Sequence, residues 1–205
     1  MSQRALFFLS LLGFVAAPLF ADATAQITVA TYSQPGVSAD VVFVAQVEAS
    51  RILGRAGIRV RWIDCPDPGF QQNRAKQPDP ACGWSRDPLI LRLLITTDGR
   101  NPGTDTALGW TQPFEEPAVR ATVAYRSIEK CSIVITNARL LSYVIAHEIG
   151  HLLFRSKLHG ERIMQKDWSR SDMHDMQQCL FSFTAEQARE LRQGVGARTT
   201  SSSQR

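Results

Sequence analysis

The chain has 205 residues, of which 44% are hydrophobic and 20% charged, with a formal net charge of +4 at pH 7. That length holds one domain with a full core, and the apolar content excludes an intrinsically disordered protein. The mildly basic balance comes without a dense Lys/Arg run, so nucleic acid is not expected as a partner.

Residues 1–25 carry the pattern of a secretory signal peptide. Arg4 supplies the positive end, Ala5–Phe20 is almost wholly apolar, and small-x-small sites allow cleavage after Ala23 or Ala25. The apolar stretch is short for a membrane span and is broken by Pro18. The mature chain is therefore expected to be secreted or periplasmic, without stable membrane insertion, and monomeric. Its four Cys, at 65, 82, 131 and 179, suggest two disulfides in an exported protein. Local order favours Cys65–Cys82 and Cys131–Cys179, although sequence leaves the other two pairings open.

In chain order, Ile27–Tyr32 alternates and is β-branched, which predicts a strand. Ser38–Arg55 predicts a helix that Gly57 ends, and Ile58–Ile63 predicts a half-exposed strand. Asp64–Pro88 is Pro-rich loop, and Leu89–Thr96 is a strongly apolar strand. Asp98–Thr106 is a turn-rich loop, followed by a short strand over Ala107–Thr111. Pro113–Pro117 interrupts, and Ala118–Tyr125 is another strand. Ser127–Ile135 is ambiguous between states.

Asn137–Phe154 predicts a long helix with Asn137 as its N-cap. A polar loop over Arg155–Arg170, a short helix over Ser171–Cys179 and a final helix over Thr184–Gln193 complete the domain, taken as residues 26–194. Thr184 and Gln187 match a capping box. The Ser/Thr-rich end, residues 195–205, is expected to be disordered.

The long helix contains His147-Glu148-Ile149-Gly150-His151, the H-E-x-x-H pattern. Positions i and i+4 share one helix face, so two imidazoles can grip one metal ion while Glu148 reaches a water beside it. A helix with two incidental His would have to bury Glu148 without a partner, which is costly. All four His of the chain fall between His147 and His174.

A catalytic zinc takes three protein ligands and keeps an open position. His159, eight residues past His151, is the favoured third ligand, because a chain that turns back after Phe154 can return it to the metal. His174, Glu161, Asp167, Asp172 and Asp175 are the alternatives. Ile163-Met164 could pack beneath the site. Trp168 is core or a pocket wall, and nothing selects among Tyr125, Tyr143 or a Trp as an assisting group.

The stretch HEIGHLLFRSKLHGERIMQKDW resembles the metzincin clan of zinc peptidases, and within roughly residues 140–168 it is similar to a group of exported bacterial HEIGHLL…H…IM proteins. The resemblance implies an α+β fold: a single zincin domain, its twisted mixed sheet packed on a long helix bearing the motif, with a small, mostly helical C-terminal part. It implies Zn2+ held by His147, His151 and His159, Glu148 as general base, and a peptide or protein substrate.

The chain departs from the clan's H-E-x-x-H-x-x-G-x-x-H pattern in having Phe154 at the Gly and Lys157 at the third His. Two other functions share these residues. One is a non-catalytic exported zinc-binding or interaction protein. The other is a zinc amidohydrolase acting on cell-wall peptides.

Overall fold

The computed structural model describes residues 25–66, 79–83, 87, 90–97, 107–111, 119–132 and 134–203. The expected signal peptide, the expected loop over residues 98–106, most of the Pro-rich loop and the Pro113–Pro117 interruption lie outside them.

Five strands form one mixed sheet in the order β2-β1-β3-β5-β4. They are β1 (Ala25–Ser33), β2 (Ile58–Cys65), β3 (Ile90–Thr96), β4 (Gly109–Thr111) and β5 (Arg120–Ala124). β1 runs parallel to β2 and β3, and β3 parallel to β5, while β4 is antiparallel to β5 and ends the order.

Alternation decides which residues face the helices. Ile27 and Val29 of β1, Leu91, Leu93 and Ile95 of β3, and Val123 of β5 form one almost fully buried face. Against it pack α1 (Ala39–Arg55) and α3 (Asn137–Phe154), which also pack on each other. Burial of 60–70% or more of the unfolded surface, typical at this chain length, provides the main driving force.

The other face is more polar. There Tyr32 Oη donates to the Cys82 carbonyl at 2.7 Å, and Arg92 donates to the Gly83 carbonyl at 2.7 Å. The Cys65–Cys82 disulfide closes this turn, as the sequence suggests. Closing a loop of that length contributes about 3 kcal/mol.

Several expectations are corrected. The ambiguous Ser127–Ile135 region begins instead with a helix, α2 (Tyr125–Cys131). The N-cap of α3 is Thr136, whose hydroxyl accepts from the Arg139 N–H, because the Asn137 side chain is engaged by Ser132. The supposedly disordered end is helix as well, since α5 runs from Ala185 to Ser203. Val195 and Arg198 are buried there, and this tertiary packing overrides a Ser/Thr-rich composition. The short helix α4 spans Arg170–Gln177 and begins with a Ser169/Asp172 capping box.

Cys131 and Cys179 are not bonded to each other. Cys131 is exposed and lines the cleft, whereas Cys179 Sγ accepts from Arg139 at 3.2 Å.

Candidate metal centre

Helix α3 runs through the middle of the molecule. Every residue from Leu140 to Leu153 is buried, including the whole H-E-x-x-H string. This places the pattern in the core, with an opening, among the described residues, between β4 and the segment after α3. The opening is a cleft of about 520 Å³ lined by, among others, Gly109, Trp110, His147, Glu148, His151 and His159.

The two helix imidazoles meet through Nε2, 3.0 Å apart. Their Nδ1 atoms lie 2.7 Å from the Ile163 carbonyl and 2.8 Å from the Ser156 carbonyl. A carbonyl can only accept, so each Nδ1 carries the proton and each Nε2 presents a lone pair. Two lone pairs facing each other at that distance repel unless a cation lies between them.

His159 completes the set. The ligand atoms of His147, His151 and His159 all lie within 4.8 Å of one another, and no other such group occurs among the described residues. The His159 ring stacks on His147 at 5.4 Å and meets His151 edge-on at 4.9 Å. Neutral imidazole nitrogens at this spacing suit Zn2+. His174 is exposed on α4, and Asp172 caps that helix through Ser169. Asp167 lines the cleft without joining the three His, and Glu161 and Asp175 stand outside the group.

Burial also fixes the protonation states. It lowers His147 to about 4 and pushes His151 and His159 below their ordinary values, so all three are neutral at pH 7. Burial raises the Glu148 carboxyl to about 8, and its Oε2 has no hydrogen-bond partner. A buried carboxylate without a partner is costly unless positive charge compensates it. The orphaned oxygen and the facing lone pairs thus fit one cation.

The turn after α3 explains how the chain manages without the expected Gly. Arg155 adopts the left-handed conformation, φ 53° and ψ 40°, and its N–H donates to the His151 carbonyl. The chain reverses there. Ser156 then holds His151, and the loop carries His159 back. Arg162–Met164 forms a 3-10 turn beneath the site, with Ile163 and Met164 both buried. Met164 Sδ lies where a side chain at position 150 would point, 2.6 Å from a Cβ built on Gly150. The Gly inside the motif admits the Met below it.

Sequence reasoning missed Gly109 on β4. A Cβ there would stand 2.7 Å from Glu148 Oε1 and 2.9 Å from its Cγ. Only Gly lets the strand lie against the carboxylate, and no local signal marks it, because the contact spans the fold. Cys131, Leu108 and Met173 were equally unforeseen as cleft residues. Trp168 proves to be a cleft wall, its ring 5.6 Å from that of His147. Tyr143 points elsewhere, to the Met176 and Phe181 carbonyls, and burial pushes its phenol up to about 12.

No family model matches the chain, and neither does any curated protein. Its fold is similar to that of solved zinc peptidases. One is a zinc-dependent peptidase from Methanocorpusculum labreanum (strain Z), with a TM-score of 0.54 at 16% identity, covering 80% of this chain and 99% of that one. Another is archaemetzincin from Methanopyrus kandleri, with a TM-score of 0.52 at 11% identity, covering 86% of this chain and 99% of that one. At such identities the likeness is one of fold, and it agrees with the α+β zincin architecture expected from the motif. Among the described residues no helix is long and apolar enough to cross a membrane.

Proposed function

We propose that the chain is an exported zinc metallopeptidase, directed out of the cytoplasm by residues 1–25 and acting as one domain. His147, His151 and His159 hold Zn2+, and Glu148 is the general base. The observation that carries this reading is the pair of Nε2 lone pairs meeting at 3.0 Å beside an unpartnered, buried carboxylate. The likeness of its fold to two solved zinc peptidases supports it.

Zinc held by His147, His151 and His159 would supply Lewis acidity, polarising a carbonyl and lowering the pKa of water from 15.7 towards about 7. The chain's own groups do the rest. Glu148 accepts a proton from the attacking water and passes it to the departing amine. Gly109 keeps the strand from displacing that carboxylate. The carbonyls of Ile163 and Ser156 hold the imidazoles in the tautomer that presents Nε2. β4 ends the sheet, and Trp110 and Thr111 on it line the cleft. An extended substrate backbone adds there as a further strand.

The test uses the purified mature chain. Glu148→Gln should retain one zinc per chain and lose peptide hydrolysis by about 10²–10⁴-fold, the usual contribution of a general base. A wild type that is full of zinc yet cleaves nothing across a broad peptide library would sink the peptidase reading.

A further inference from the structure

α5 touches both chain segments that carry the second and third His. Near its start, Gln187 Nε2 donates to the Glu161 carbonyl at 3.0 Å, two residues beyond His159. Farther along, Arg198 donates to the Leu152 carbonyl at 2.6 Å, next to His151. Leu152 lies in the last turn of α3, where carbonyls have no partner within the helix. Arg198 is 6% exposed.

Between these two anchors the helices are in backbone contact. A Cβ at Gly194 would fall 2.3 Å from the Leu153 carbonyl oxygen, so only Gly allows the approach. Leu191 is fully buried on the same side. Residues 187 and 198 are eleven positions apart, about 16 Å along the axis and within about 20° of one another around it. One rigid face therefore reaches the end of α3 and the loop that returns from it.

We propose that α5 is a splint setting the separation between His151 and His159, with Gln187 and Arg198 as positioning residues for metal affinity. The proposal rests on the zinc reading. Between His151 and His159 the chain is a turn and a loop with little regular structure, and Lys157, Leu158 and His159 are exposed. Such a loop does not hold a ligand within the tolerance a tetrahedral ion demands. The splint supplies the constraint from outside the loop, and the order of α5 beyond residue 194 becomes part of the metal centre.

The experiment measures the zinc dissociation constant of the full mature chain by chelator competition, with zinc alone as probe and no substrate. Gln187→Glu keeps the oxygen that accepts from the Thr184 N–H and removes the donor to Glu161. Arg198→Met removes the guanidinium, and Arg198→Lys restores a donor. Gln187→Glu and Arg198→Met should each weaken zinc about 10–100-fold, the range seen when groups behind a ligand are lost. Arg198→Lys should recover most of that loss.

Thermal unfolding of the zinc-free proteins separates affinity from stability. A purely structural role lowers both zinc-free and loaded stability and leaves the zinc constant alone. Gln187→Glu and Arg198→Met proteins that bind zinc within twofold of wild type therefore overturn the splint. If Arg198→Met does not fold, Gln187→Glu carries the same test. A wild type that takes up no zinc overturns the metal reading itself, and the splint with it.

Discussion

Replacing Gly109 by Ala tests the general-base assignment without touching a residue that reacts or binds metal. The added Cβ would stand 2.7 Å from Glu148 Oε1, 2.9 Å from Cγ and 3.0 Å from Cδ. Carbon atoms pack at about 3.5–4.0 Å, so the carboxylate or the strand must retreat by roughly 0.5–1 Å. Three crowded atoms cannot be relieved by one rotation. Glu148 is 3% exposed on a helix buried all round, which leaves it little room to move. A displacement of 1 Å from productive geometry costs up to about 100-fold in rate.

Gly109→Ala should therefore lower kcat by about 10–100-fold with KM nearly unchanged. Crowding should also cost stability by about 1–3 kcal/mol. Zinc content should stay at one per chain, because the three atoms nearest the added Cβ belong to Glu148 and to none of the three His. Steady-state kinetics, metal analysis and thermal unfolding read the three quantities separately. A variant with kcat within twofold of wild type would show that Glu148 needs no such placement.

Other outcomes follow from the same geometry. His159→Ala should lower zinc stoichiometry after dialysis, while His174→Ala leaves it at one; the reverse would reassign the third ligand. Gly150→Ala places a Cβ 2.6 Å from Met164 Sδ and should destabilise by about 1–3 kcal/mol in denaturant unfolding.

The capping box of α4 should respond to pH. Partial burial raises the Asp172 carboxyl, but hydrogen bonds from Ser169 and Gln165 and the charge of Arg162 outweigh it, so the net shift is downward. Its stabilising contribution is then complete above the ordinary value of 3.8 and is lost as pH falls further, through the folded value. Ser169→Ala, which removes the partner, should cost about 1 kcal/mol at neutral pH and shrink that acid-side loss. In the unreduced protein, thiol titration after unfolding should find two thiols, Cys131 and Cys179, with Cys131 the faster in the native state. No thiol at all would restore the Cys131–Cys179 bridge.

What the sequence conveys well is local. The periodicity of Asn137–Phe154 and the spacing of His147 and His151 are written within a few turns of one helix. The apolar run of β3 likewise reads as a strand. The Cys65–Cys82 closure is short-range too. What stays hidden depends on contacts far apart in the chain. Gly109 matters because of Glu148, and Val195 and Arg198 are ordered because α3 lies beneath them. Arg155 takes the left-handed turn that a clan pattern assigns to a Gly, and an Arg carries no local sign of that. Tyr125 ends a predicted strand yet begins α2; it is buried like Val123 and Ala124 before it and Ile128 after it, so apolar character alone does not mark the change.

The full burial of α3 also bears on the export proposed for this chain. A helix of 18 residues that were apolar throughout would approach the length of a membrane span. In α3 the apolar run is broken at His147, Glu148 and His151, and no described helix is apolar enough to span a membrane. The three side chains that face the cleft in the folded protein therefore also keep this helix from reading as a membrane span. Leucine at all three positions would remove the metal site and bring α3 close to a membrane-spanning run, which the proposed export would not tolerate.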